Sequence, residues 1–265
     1  MISNPADGSS HPTLLVGCWR CGGEFPENTE ACPRCGAVWA STAPVAIKPV
    51  GLSAFFPKVL IAFLAMMGVS LVCGLLQRGL EDITSILVLT SVAALVDAAI
   101  VLWVWCHRPA FKVYPPSSYR AWCWTLAWPM LIGLLLVNVN YHEMMKGLFA
   151  PPQEAPTEIE TWQFAWMLAL ISLFPAVMEE IFFRRLVLDS FRDEAGSVGT
   201  AIWVSSIMFA MAHIGQPLGL PYLLVVGVFL GLLRVGTGSL ALPMLAHGLH
   251  NGVIVWVEFS QHLAG

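Results

Sequence analysis

From Phe55 onward, long apolar runs alternate with short polar breaks. Most of these runs approach the roughly twenty residues that a helix needs to cross a bilayer, although the fifth and sixth are short. A chain in lipid must satisfy its backbone hydrogen bonds internally, and no run shows the alternation of a barrel strand, so the pattern predicts helices. The predicted spans are 55–77, 83–106, 121–141, 162–184, 198–214, 218–235 and 239–259.

The composition agrees with a chain that lies mostly in lipid. Hydrophobic residues make up 57% and charged residues 11% of the sequence, whereas soluble domains carry about 25% charged residues. The net charge of -4 therefore says little about partners. The first thirteen residues are polar, so we expect no signal peptide.

Four cysteines precede the first span as two C-x-x-C pairs, each followed by a glycine. They are Cys18, Cys21, Cys32 and Cys35. Two such turns can present four thiolates to one tetrahedral zinc ion, whereas two disulfides would require an export signal. We predict a structural zinc ribbon at 1–40, a linker at 41–54 and a membrane domain at 55–265. All four ligands are used, so this zinc has no open position for chemistry.

The basic residues predict an orientation. With the N-terminus inside, the outer loops hold only Arg78 and Lys146, as the excess of positive charge in cytoplasmic loops requires. The ribbon cysteines then face the reducing cytoplasm. The predicted fold class is thus an all-α polytopic membrane protein with about seven transmembrane helices and an N-terminal zinc ribbon. We expect it in the bacterial cytoplasmic membrane.

Ionisable residues interrupt the fourth span, in "VMEEIFFRR". A charge at the centre of a membrane helix costs about 2.5–3.5 kcal/mol, and such residues indicate function. Glu180 and Arg184 are four residues apart with the acid first, the favourable order for an ion pair on one helix face. Glu179 points about 100° away and lacks that partner, which suits a general base.

Five other polar residues lie in three of the spans, the fifth, the seventh and the second. His213 follows the apolar stretch of the fifth span. In the seventh span, His247 and Asn251 share one helix face, and His250 is rotated away from it. Asp97 is isolated in the second span, and the sequence assigns it no role.

In their order along the chain, these residues resemble the motifs of the CPBP family. These are the CAAX-protease and bacteriocin-processing intramembrane proteases, also called the Abi family. The resemblance covers about residues 160–258. The motifs are Glu179-Glu180-xxx-Arg184, Phe209-xxx-His213 and His247-xxx-Asn251.

The resemblance implies an intramembrane endopeptidase that hydrolyses a peptide bond of a membrane-associated or lipidated protein or peptide. Glu179 would act with His213 to activate water, and His247 and Asn251 would stabilise the oxyanion. The resemblance leaves open whether the site uses a catalytic metal ion. Glu179, His213 and His247 could bind a second, catalytic zinc, and the same residues also support a metal-free glutamate mechanism.

The resemblance gives Glu180 and Arg184 the role of holding the site in shape, with shared proton transfer as the alternative for Glu180. Phe209 would support the site structurally.

A shared site requires Glu179 and His213 to lie at one depth in the membrane. A fifth span that starts at Val198 would leave a mismatch of up to roughly 15 Å. We expect the fourth span to continue to about Leu188 and the fifth to begin nearer Ala201.

Two other function classes remain open. A transporter would also place buried charges along a path, but the sequence shows no internal repeat or paired broken helices. A noncatalytic scaffold or bacteriocin-immunity factor could use the ribbon as a docking module, although every motif position is filled. The expected partners are the bilayer, a membrane-embedded or lipidated substrate and a cytoplasmic protein bound by the ribbon. Nucleic acid is not favoured, because the ribbon's basic residues are only Arg20 and Arg34.

Overall fold

The computed structural model describes residues 15–17, 24–26, 29, 31–34, 55–80, 82–108, 116–149, 158–195, 197–215 and 217–262. The chain divides into two compact units, residues 1–49 and 50–265, which are described separately.

In the first unit, two short antiparallel strands pair: β1 (Leu15–Gly17) and β2 (Glu24–Pro26). Of the predicted zinc ligands, Cys32 is buried. Cys18, Cys21 and Cys35 lie outside the described residues, so the zinc ribbon stays a prediction.

Seven helices make up the described part of the second unit. They are α1 (Phe56–Gln77), α2 (Ile83–Cys106), α3 (Arg120–Phe149), α4 (161–195), α5 (Val198–Ala212), α6 (Leu220–Thr237) and α7 (Ala241–Phe259). Helix α2 begins after Asp82, whose carboxylate accepts hydrogen bonds from the hydroxyl and backbone N–H of Ser85, both at 2.8 Å. These hydrogen bonds lower the pKa of Asp82, the side-chain bond having the larger effect.

The all-α polytopic membrane fold predicted from the sequence is confirmed. Among the described residues, five helices are long and apolar enough to cross a membrane, namely α1 to α4 and α6. Helix α5 is apolar but has only 15 residues, and α7, which carries two histidines and an asparagine, is not among the five. The expected seven spans therefore correspond to seven helices, of which five meet both criteria. Helix α3 also runs to Phe149, so Lys146 lies in a helix and not in a loop.

Helix α4 is not a regular α-helix. Two π-helical segments, Leu168–Leu173 and Glu180–Leu188, flank the short α-helical segment Phe174–Glu179. Such wide turns occur frequently at functional sites. Pro175 lies within the short segment and has no N–H, so the carbonyl of Ile171 lacks the donor that an α-helix would give it.

Two glycines of α6 allow this helix to pack closely against α5. A Cβ atom at Gly227 would lie 3.0 Å from both Cα and Cβ of Ser206, and one at Gly231 would lie 3.2 Å from Ile202. Small residues four apart allow two helix backbones to approach in a membrane. This packing presents the C-terminal end of α5 to the polar residues of α4.

Candidate active site

Glu179 of α4 and His213 at the end of α5 line one cavity of about 210 Å³. Glu179 is 16 residues before Ala195 and His213 is 15 residues after Val198. The two residues are thus a similar number of residues away from the connection between the helices, in line with their lining one cavity. The expected start of the fifth span near Ala201 is wrong, since α5 begins at Val198; it is the continuation of α4 to Ala195 that brings the two residues level.

The rest of this cavity is mostly apolar, with two polar exceptions. The other lining residues are Phe63, Met66, Met67, Ser70, Asp97, Phe183 and Ala212. Asp97 is thus a candidate residue whose role could not be assigned from the sequence, although an isolated acid in an apolar span was the available signal. Within the described part of the chain, Oδ1 of Asp97 and Oε2 of Glu179 are buried without a hydrogen-bond partner. Buried polar atoms of this kind are usually satisfied by water or a ligand.

Arg184 and His247 both contact the carboxylate of Glu180, which follows Glu179 in the sequence. Its Oε2 lies 3.2 Å from Nε of Arg184, and its Oε1 lies 3.0 Å from Nδ1 of His247. Glu180 and Arg184 are both 0% exposed. The Arg184 guanidinium also lies over the ring of Phe209, 4.7 Å from its centroid. The charge of Glu180 is therefore compensated by Arg184, its other oxygen is hydrogen-bonded to His247, and Glu179 is the acid that lines the cavity.

Phe209 also fixes both histidines. Its ring centroid lies 5.1 Å from that of His213 and 5.7 Å from that of His247. Its backbone carbonyl is 2.9 Å from Nδ1 of His213. A carbonyl can only accept, so Nδ1 carries the proton and Nε2 of the neutral imidazole keeps a lone pair. His213 is thereby held in the tautomer that can accept a proton at Nε2.

Asn251 of α7 is bound at both ends of its amide. Its Nδ2 donates to the carbonyl of Ile171 at 3.1 Å, a carbonyl to which Pro175 cannot give the hydrogen bond of a regular α-helix. Its Oδ1 lies 2.9 Å from Nδ1 of His250. His250 is buried, and its Nε2 is hydrogen-bonded to the hydroxyl of Tyr222. Helical periodicity placed His250 off this face and so missed its contact with Asn251.

The predicted catalytic zinc stays a prediction. Among the described residues, no three His, Cys, Asp or Glu side chains are arranged to hold a metal ion. Of the predicted ligands, Glu179 and His213 share the cavity, whereas His247 directs its Nδ1 to Glu180. We derive no catalytic step through a metal.

A larger groove of about 590 Å³ lies between α1 and α2. Its lining residues are Ile61, Ala62, Ala65, Val92, Leu95, Val96, Ala99, Ile100 and Trp103. None of these side chains offers a base, and the indole N–H of Trp103 is their one hydrogen-bond donor, so the smaller polar cavity is the candidate active site.

The fold and the site together define a polytopic helical membrane protein with an acid and a histidine at one intramembrane cavity. Residues 161–253 match the family described as Rce1-like, type II CAAX prenyl endopeptidase Rce1-like. The matched segment runs from the start of α4 into α7 and contains all three motifs. The predicted resemblance to the CAAX-protease family is therefore confirmed, and with it the enzyme class, an intramembrane peptide hydrolase. Neither the curated proteins nor the solved structures include a match to the chain.

Proposed function

We propose that the chain cleaves a membrane-associated or lipidated protein within the bilayer, using a water molecule activated by Glu179 and His213. One observation carries this proposal: the two side chains line the same cavity. In the part of the chain that is described, Oε2 of Glu179 has no hydrogen-bond partner, so it is available to a water molecule. Glu180 is less suited to this role because Arg184 and His247 already contact it.

In the proposed reaction, one proton of the water passes to the Glu179 carboxylate while Nε2 of His213 accepts a hydrogen bond from the other. The water oxygen forms a bond to the scissile carbonyl carbon, and the π electrons of that carbonyl move onto its oxygen. The C–N bond then breaks, and Glu179 returns its proton to the leaving amine. Glu179 therefore acts first as the general base and then as the general acid.

The negative charge that develops on the carbonyl oxygen needs hydrogen-bond donors. His247 and Asn251 lie one turn apart on α7 and are the candidates. Nδ1 of His247 donates to Glu180, so its Nε2 can donate to the substrate only when the ring is an imidazolium. Asn251 has a second N–H on Nδ2 beyond the one given to Ile171.

The substrate class follows from the family and from the position of the site. The matching family is described as prenyl endopeptidases, and the site of this chain lies among helices that can cross a membrane. We therefore propose a lipidated or membrane-embedded protein as substrate. The distribution of Lys and Arg supports a bacterial cytoplasmic membrane location with the N-terminus in the cytoplasm. There the ribbon would bind a cytoplasmic protein partner.

The test compares protein termini in membranes of cells that express the wild-type chain or Glu179→Gln at equal levels. Glu258→Gln is the matched control, because it removes an exposed carboxylate from the end of α7. We expect new termini with the wild type and with the control but not with Glu179→Gln. Identical termini in all three membranes would support the noncatalytic scaffold instead.

A further inference from the structure

We propose that Pro175, His250 and Tyr222 are positioning residues that fix the orientation of the Asn251 amide. This inference rests on the proposed function, in which Asn251 stabilises the oxyanion. An asparagine amide can rotate by half a turn and present its oxygen where its nitrogen is needed. Such a rotation would place a lone pair against the oxyanion, so the orientation has to be enforced.

The first constraint comes from Pro175. In an α-helix the carbonyl of Ile171 would accept a hydrogen bond from the N–H of residue 175, which proline lacks. That carbonyl accepts from Nδ2 of Asn251 at 3.1 Å instead. Because a carbonyl has no proton to give, only the nitrogen end of the amide can face it. The proline thus supplies no N–H that competes with Asn251 for this carbonyl, and the carbonyl selects one amide orientation.

The second constraint comes from the opposite side of the amide. With Nδ2 facing Ile171, Oδ1 of Asn251 faces Nδ1 of His250 at 2.9 Å and must accept its proton. A neutral His250 then has a lone pair on Nε2, which lies within hydrogen-bond distance of the Tyr222 hydroxyl. That hydroxyl also lies 3.0 Å from the carbonyl oxygen of Leu134, so its single proton has two neighbouring acceptors. His250 is only 3% exposed and Tyr222 only 5%, so water has little access to either.

Helix α7 packs closely against the first π-helical segment of α4, which keeps Asn251 next to the carbonyl of Ile171. Ser172 donates to the carbonyl of Gly248 at 2.7 Å. A Cβ atom at Gly252 would lie 3.2 Å from the same hydroxyl oxygen, so the absence of a side chain there permits the approach. Gly248 and Gly252 are on either side of Asn251 in the sequence. The remaining N–H of Asn251 is therefore held in one direction, one turn from His247.

The experiment uses the full chain, labelled with ¹⁵N-asparagine, in lipid nanodiscs. The side-chain amide signal of Asn251 is assigned as the signal that disappears in Asn251→Gln. Pro175→Ala restores a competing N–H, and Tyr222→Phe removes the hydroxyl that binds His250. We expect each variant to accelerate hydrogen exchange of the Asn251 amide by about tenfold or more, as expected when the hydrogen bond from Nδ2 to Ile171 is weakened by about 1.4 kcal/mol.

Two matched controls separate this effect from general loosening. Pro129→Ala replaces a proline inside α3, and Tyr141→Phe removes a hydroxyl bonded to Leu218. Both should leave the Asn251 signal unchanged. Unchanged exchange in Tyr222→Phe and Pro175→Ala would overturn the proposal, as would equal acceleration in the controls. If Pro175→Ala does not fold, Tyr222→Phe still decides.

A kinetic measurement links the amide to the reaction. With a substrate identified from the termini experiment, Pro175→Ala and Tyr222→Phe should lower kcat by about 10- to 100-fold and leave KM nearly unchanged. A change in KM alone would contradict a role in the transition state. The amide exchange does not depend on cleavage, so a failure of the proposed function and a failure of this inference give different results.

Discussion

Replacing Arg184 by methionine should destabilise the fold strongly, because it leaves a carboxylate buried without its main counter-ion. Arg184 and Glu180 are both 0% exposed, and Nε lies 3.2 Å from Oε2. Methionine keeps much of the side-chain volume that packs against Phe209. The substitution therefore tests the charge of Arg184 more than its packing.

The size of the effect follows from the distance. At an effective dielectric constant of about 20, two unit charges 3.2 Å apart attract by about 5 kcal/mol. Removing one partner of a buried ion pair typically costs about 3–5 kcal/mol, since the other charge is left uncompensated. His247 also contacts Glu180 and offsets part of this cost. We expect a loss of about 3 kcal/mol in the free energy of unfolding.

The assay is a double-mutant cycle with Arg184→Met, Glu180→Gln and the double variant, measured by unfolding in mixed detergent micelles. Arg120→Met, at the exposed start of α3, is the control and should change the free energy of unfolding by less than about 0.5 kcal/mol. The loss in the free energy of unfolding of the double variant should be at least about 2 kcal/mol smaller than the sum of the losses of the two single variants. Additive losses would refute the view that the two residues compensate each other.

Three further outcomes are expected. Asp97→Asn should fold normally but lower cleavage about tenfold or more, because the acid lines the cavity beside Glu179 and a hydrogen bond between its carboxylate and the attacking water would contribute about 1.5–3 kcal/mol. Cleavage equal to wild type would exclude a role for Asp97. Gly227→Ala should reduce the free energy of unfolding by about 1–3 kcal/mol, since its Cβ would lie 3.0 Å from Ser206, and an unchanged unfolding midpoint would contradict this. Elemental analysis of the full chain should find one zinc ion, which is lost in Cys32→Ser and retained in His213→Ala; loss of zinc in His213→Ala would establish a catalytic metal.

The helices could be predicted because the physics of the bilayer acts on each segment separately. Apolar runs of the right length become helices, and α1 and α2 begin and end within a residue of the predicted bounds. The extension of α3 to Phe149 was not predictable from hydropathy, because its last turns are polar. The same holds for α4, where a helix continues past the apolar core into the polar sequence that ends at Ala195.

The order of the motif residues predicted the family, but their contacts required the three-dimensional structure. The spacing of Glu180 and Arg184 correctly predicted an ion pair, since both lie on one helix face. The assumption of a regular helix, however, did not predict that the carbonyl of Ile171, four residues before Pro175, would accept a hydrogen bond from Asn251. The sequence also could not show that Asp97, in a distant span, lines the cavity with Glu179 and His213. That contact depends on how α2 packs against α4, which local periodicity does not specify.

The central claim is that Glu179 and His213 activate water for peptide hydrolysis. The most direct measurement incubates membranes from cells lacking the chain with the purified protein in H₂¹⁸O, and analyses the new protein termini by mass spectrometry. The wild type and Glu258→Gln should produce new carboxyl termini that carry one ¹⁸O atom each, whereas Glu179→Gln and His213→Ala should produce none. Equal numbers of labelled termini with Glu179→Gln and with the wild type would contradict the assignment of the base.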